Sequence, residues 1–314
     1  MKKITRIISL LLVVVFILGT MSSAFAQEEK PVVGVVLKSL ANEFFKSLQE
    51  GAEKWAAEDG HYTLDIKGMN SETDIDTQLT IMDTFISQMV DMIVLAPADS
   101  SALVPFVKKA IDAGIPVINF DVRLDQEQLK LAGLEDFMFV GPDNEEGAYL
   151  AGMALAEKLG EGGKVFIIEG NPGADNAKAR KAGFDKAVAE GKLDLLVSNT
   201  AHWETEEANT LVANLLTAHP DVQGIMCAND SMVLGAQKAV EAAGRDDILL
   251  VGFDNIAAVQ DLIKQGKVLA TVDQFGADMV KMAIEVGQKV IDGEVEPVGW
   301  EKTPVKLITI DDLD

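Results

Sequence analysis

Short runs of valine, isoleucine and leucine alternate along the chain with longer segments in which apolar residues recur at helical spacing. The runs predict strands at residues 32–37, 92–95, 116–119, 164–168, 224–227 and 248–251. The helical spacing predicts helices at 44–57, 76–88, 103–113, 145–159, 177–189 and 206–218, among others. Continuously apolar strands separated by helices bury both faces of a parallel sheet, so the fold class is α/β.

The pattern also repeats. Gln49-Glu50-Gly51-Ala52-Glu53-Lys54 resembles Lys181-Ala182-Gly183-Phe184-Asp185-Lys186 at an offset of 132. Ala98-Asp99-Ser100 returns as Asn229-Asp230-Ser231 at 131, and Phe120-Asp121 as Phe253-Asp254 at 133. Each match falls at the same place in its strand, loop and helix unit, which implies two copies of one lobe.

In open parallel sheets ligands bind beyond the carboxyl ends of the strands. The loops there carry Lys38 to Phe45, Asn119-Phe120-Asp121, Ala228-Asn229-Asp230, Phe253-Asp254-Asn255 and Asp273-Gln274. Aspartate accepts from paired hydroxyls, asparagine and glutamine donate and accept, and lysine donates only. An aromatic ring covers the C–H face of a sugar, so the mixture suits sugar chemistry. Taken singly, Asn229, Asp230 and Asp254 also read as helix caps or turn residues, Phe44 and Phe45 as core, and Trp203 as a loop residue. Their shared place at strand ends in both halves favours a site.

Composition narrows the setting. Lys2, Lys3 and Arg6, an apolar stretch of 12 residues from Ile7 to Leu18, and Ala24-Phe25-Ala26 predict a cleavable signal peptide over residues 1–26. The stretch is short of the ~20 residues that span a bilayer. Cleavage leaves 288 residues and moves the formal charge from −23 to −26. That charge argues against nucleic acid and anionic membrane as partners. Cys227, the only cysteine, ends an apolar run and reads as buried; His61, His202 and His219 lack metal-ligand spacing, so no metal and no cofactor is expected.

The chain resembles the ribose-type periplasmic sugar-binding proteins of bacterial ABC transporters, and among them the allose binders. The likeness is carried by Val35 to Phe45, Leu215 to Gln223, Cys227-Ala228-Asn229-Asp230 and Val251-Gly252-Phe253-Asp254. It implies a type I periplasmic binding protein fold: two similar Rossmann-like lobes with parallel sheets, joined by three hinge crossings and closing on the ligand. The crossings are expected near Gly141-Pro142, Phe275 and Thr303-Pro304. They divide the chain into residues 27–141 plus 275–303 and residues 142–274 plus 304–314.

By position the resemblance assigns ligand binding to Lys38, Asn42, Phe44, Phe45 and Asp121 of the first lobe. From the second it assigns Arg180, Trp203, Asn229, Asp254 and Gln274, with Phe45 and Trp203 sandwiching the sugar ring. Ribose binders carry an arginine where this chain has Val122 and a small hydroxyl residue where it has Lys38, which moves the expected ligand toward an allose-like hexose or a related ketose, pentose or polyol. Arg123 would have to swing in to replace the missing arginine, whereas adjacent side chains point differently. The resemblance further implies a periplasmic monomer that delivers a monosaccharide to an ABC transporter permease; a rival reading keeps the fold but takes a signalling molecule or another polyol as ligand and a chemoreceptor as docking partner.

Enzyme readings find little support. No G-x-G-x-x-G follows a strand, no G-x-S-x-G elbow occurs, and Gly160-Glu161-Gly162-Gly163 precedes a strand rather than following one. A sugar-responsive transcription regulator would need a basic DNA-binding module ahead of the first lobe.

Overall fold

The computed structural model describes residues 30–313, so the expected signal peptide lies outside the described residues. The strands are β1 (Val32–Ser39), β2 (Thr63–Met69), β3 (Met92–Leu95), β4 (Val117–Phe120), β5 (Phe139–Pro142), β6 (Lys164–Glu169), β7 (Asp194–Thr200), β8 (Gly224–Cys227), β9 (Leu249–Val251), β10 (Thr271–Asp273), β11 (Trp300–Thr303) and β12 (Lys306–Ile308). The helices are α1 (Glu43–Asp59), α2 (Ile75–Gln88), α3 (Val104–Asp112), α4 (Gln126–Leu131), α5 (Asn144–Leu159), α6 (Asp175–Glu190), α7 (Thr205–Ala218), α8 (Asp230–Ala242), α9 (Ala257–Lys264) and α10 (Gly276–Ile291). None of the described helices is long and apolar enough to cross a membrane.

Two parallel sheets organise the chain. The first runs β11-β5-β4-β3-β1-β2 and the second β7-β6-β8-β9. β10 pairs antiparallel with β12, and a parallel bridge from Val251 to Ala270 continues the second sheet into that pair. The order β2-β1-β3-β4-β5-β11 therefore corresponds strand for strand to β7-β6-β8-β9-β10-β12, the duplication seen in the sequence. β3, β4 and β8 are buried along their whole length, as sheets covered on both faces require. The chain passes between the sheets three times: after Pro142, after Asp273, and between Thr303 and Lys306.

One apolar cluster lies under each face where helices cover the strands. Val36, Phe85, Ile93 and Leu95 belong to one, beneath α2 and α3. Val35, Phe120, Phe166, Phe184 and Phe253 belong to the other, which continues through both lobes. The strand ends that carry the polar loops sit on top of this packed base.

Candidate functional site

Twelve residues from both lobes line one cavity: Lys38, Asn42, Phe44, Phe45, Glu72, Asp121, Asn176, Arg180, Trp203, Asn229, Asp254 and Gln274. All ten residues assigned from the sequence stand on its wall. Glu72, after β2, and Asn176, in the first turn of α6, are additions. Ten of them follow the carboxyl end of a strand or open the next helix, where parallel sheets place their ligands; Lys38 is the penultimate residue of β1 and Arg180 stands in the second turn of α6.

The first lobe presents a buried ion pair. Lys38 Nζ lies 2.8 Å from Glu72 Oε2, and Glu72 Oε1 accepts from Asn42 Nδ2 at 2.9 Å. Asn42 also caps α1, accepting from Phe44 N at 3.0 Å, which fixes the entry of Phe44 and Phe45 into the wall. The two rings meet edge to face at 5.1 Å. Lys38 Nζ stands 5.4 Å from the centre of the Phe45 ring and 5.1 Å from that of Trp203 across the cleft.

The second lobe is organised by Arg180. Its Nε donates to Asn144 Oδ1 at 2.8 Å, and one terminal nitrogen donates to Ala228 O at 2.8 Å and to Asp254 Oδ1 at 3.3 Å. The guanidinium lies 3.6 Å from the Phe253 ring centre, and Gln274 Nε2 donates to Asp254 Oδ1 at 2.8 Å. Asn229 does cap α8, accepting from Met232 N at 2.9 Å, so the cap reading and the site reading hold together. Trp203 is 3% exposed, not a surface-loop residue, and it lies flat over Gly170, where any Cβ would come within 2.1 Å of the ring.

Three wall residues have left-handed backbones, Asp121 at φ 62°, Trp203 at φ 73° and Asp254 at φ 117°. Non-glycine residues hold such angles at a cost, and they do so most often at functional sites. Among the described residues, Asp121 Oδ1, Asn176 Oδ1, Gln274 Oε1 and Trp203 Nε1 are buried without a hydrogen-bond partner. Burial without a partner is unfavourable unless something else supplies one.

Burial pushes the Asp254 carboxyl up to about 7, and the Asp121 carboxylate adds to the rise while Arg180 and Lys38 oppose it. Burial likewise raises Asp121 against the pull of Lys38 and Arg180. Between about 4 and 7 the folded protein thus holds a proton on Asp254 that the unfolded chain, with its ordinary aspartate, releases. Its contribution to stability falls as pH rises through that window and is flat above it. The denaturation midpoint of the ligand-free protein, compared with that of Asp254→Asn at pH 5 and pH 8, is expected to fall more for the wild type. Parallel pH profiles would remove Asp254 as the titrating group.

Neither Val122, which stands where ribose binders carry an arginine, nor its neighbour Arg123 reaches the cavity wall. Val122 is fully buried in the apolar base. Arg123 is turned onto the Phe139 and Trp300 rings, 5.3 and 5.0 Å from their centres. Cys227 is buried, and burial pushes its thiol up, away from reactivity.

Comparison with known proteins accords with this geometry. Residues 33–295 match the periplasmic binding protein domain. The D-ribose/D-allose-binding protein of Pseudomonas aeruginosa is 43% identical over 288 residues, covering 90% of this chain and 89% of the relative. An ABC transporter solute-binding protein from Burkholderia multivorans superposes with a TM-score of 0.86 at 42% identity, over 90% of this chain and 100% of that one. An ABC transporter periplasmic solute-binding protein from Actinobacillus succinogenes with bound D-allose superposes with a TM-score of 0.85 at 38% identity, over 90% and 99%. With two matching lobes, a polar cavity between their strand ends and these likenesses over nearly the whole described chain, the protein belongs to the periplasmic binding protein family.

Proposed function

We propose that the protein is the extracytoplasmic solute-binding component of an ABC importer, capturing one monosaccharide between its lobes and handing it unchanged to the permease. The observation that carries this reading is the convergence of Asp121 Oδ1, Asn176 Oδ1, Gln274 Oε1 and Trp203 Nε1, all unpartnered among the described residues, on one small cavity. Sugar hydroxyls both donate and accept, so one ring can complete several such groups at once. The aspartates receive hydroxyl protons, in charge-assisted bonds when ionised. Phe45 and Trp203 cover the two faces of the ring. The relatives that accept D-ribose and D-allose support a small neutral sugar.

A hexose of the allose kind fits better than ribose alone. Lys38 supplies a donor from the first lobe, whereas Val122 and Arg123 bring none to the cavity, which leaves Arg180 as the guanidinium on its wall. Residues 27–141 with 275–303 form one moving lobe and 142–274 with 304–314 the other. They hinge near Pro142, Phe275 and Thr303; Phe275 has a left-handed backbone at φ 55°. Residues 1–26 direct the chain to the periplasm, where it acts as a monomer and where a chemoreceptor is a further partner.

A thermal-shift screen over pentoses, hexoses, ketoses and polyols tests the reading. A large rise in the unfolding temperature with a single hexose of the allose type is the expected result, confirmed by a one-to-one calorimetric isotherm. No shift with any monosaccharide, or conversion of a sugar to product, would overturn it.

A further inference from the structure

Several helices that open beside the cavity begin without a side-chain cap, and two of them, α6 and α7, meet the other lobe at that end. α6 starts after Ala174 and α7 after Glu204, and neither residue's side chain caps its helix. Asn42, Asp143 and Asn229, by contrast, cap α1, α5 and α8 with their own side chains. The first N–H groups of a helix need partners from outside it. For α6 the partner crosses the cleft. Ser100, between β3 and α3, accepts at Oγ from Asp175 N at 2.9 Å, and Ser100 N donates to Gly173 O at 3.0 Å.

At α7 the traffic runs the other way. Glu204 extends its carboxylate to the first lobe, where Oε1 accepts from Ser71 Oγ at 3.0 Å and from Glu72 N at 2.9 Å. The contacts border the cavity wall: Glu72 belongs to it, Ser71 precedes Glu72, Glu204 follows Trp203 and Asp175 precedes Asn176. We infer that Ser100 and Glu204 are affinity-determining residues that form a latch between the closed lobes, outside the ligand shell.

This inference rests on the proposed capture by lobe closure. When the lobes part, water replaces the lost partners, so the latch contributes only to the closed state and holds it whichever sugar is inside. It therefore sets how tightly the protein binds without setting what it binds. The consequence separates latch from wall: a wall substitution changes the ranking of sugars, and a latch substitution scales them together.

Ser100→Ala and Glu204→Ala are tested with D-allose and D-ribose as probes, by calorimetry and stopped-flow kinetics. Each is expected to weaken both sugars by one common factor, about fivefold to fiftyfold. Dissociation should quicken, association should hold, and the denaturation midpoint without sugar should not move. Glu204→Gln keeps an acceptor oxygen and should recover most of the loss. Unchanged affinity, or an altered ranking of the two sugars, overturns the latch. If neither sugar binds the wild type, capture of these sugars is what fails. The latch is then decided with the monosaccharide that gives the largest thermal shift: weaker binding with faster dissociation in Ser100→Ala and Glu204→Ala supports it, and unchanged affinity overturns it.

Discussion

Arg180→Ala is expected to lower the stability of the ligand-free protein by about 3–5 kcal/mol at pH 8, the usual cost of removing one partner from a buried ion pair. The guanidinium is 2% exposed and serves Asn144, Ala228 and Asp254 at once while covering the Phe253 ring. Truncation strands an amide oxygen, a carbonyl and a carboxylate and opens a void beside an aromatic ring. Asp254 limits the damage in acid. Its carboxyl, already pushed up to about 7 by burial, rises further when the cation goes and takes a proton more readily. The deficit should therefore shrink at pH 5. Arg180→Lys, which keeps charge but not the planar fork, should fall between the two. Denaturant midpoints at both pH values measure this, and a loss below about 1 kcal/mol at pH 8 would show that the pair does not organise the second lobe.

The same residue shows what a sequence can and cannot reveal. The central strands β3, β4 and β8 were legible because burial on both faces leaves an unbroken apolar run. The edge strands β2 and β7 were not singled out: their residues are mostly half-buried, and Asp65 and Lys67 of β2 pair with each other at the surface. Missing β2 also hid the loop after it, and with that loop Glu72. Asn176 escaped for another reason. It sits inside the first turn of α6, four residues before Arg180, so a search of strand-end loops passes over it, and Arg180 itself was reached only through family likeness.

The left-handed backbones at Asp121 and Asp254 were likewise invisible beforehand, although the Phe-Asp repeat placed both residues at equivalent strand ends. A repeat reports equivalent positions, not the strain held there. Strain depends on what surrounds each turn, and those surroundings come from loops distant in sequence. Phe120-Asp121 and Phe253-Asp254 thus show the limit from both sides: the apolar partner goes into the base, and the acid is turned up into the cavity.

That geometry makes Asp121→Asn the sharpest test of the site. Asparagine tolerates a left-handed backbone and nearly matches aspartate in shape, so the fold should survive the change at φ 62°. What disappears is the charge, and with it half of the accepting capacity, since the amide nitrogen only donates. In the ligand-free protein burial raises Asp121, and Lys38 and Arg180 hold it back toward ionisation. Hydroxyls donated by a bound sugar would favour the ionised form further. Losing those charge-assisted bonds in a dry cleft is expected to weaken sugar binding between tenfold and a hundredfold, about 1.4–2.8 kcal/mol. Removing a buried carboxyl that resists ionisation should leave the stability of the ligand-free protein unchanged or slightly improved. Calorimetry with D-allose beside a denaturation curve separates the two effects. Near wild-type affinity would take Asp121 out of the ligand shell, and a collapse of stability would assign it to the fold.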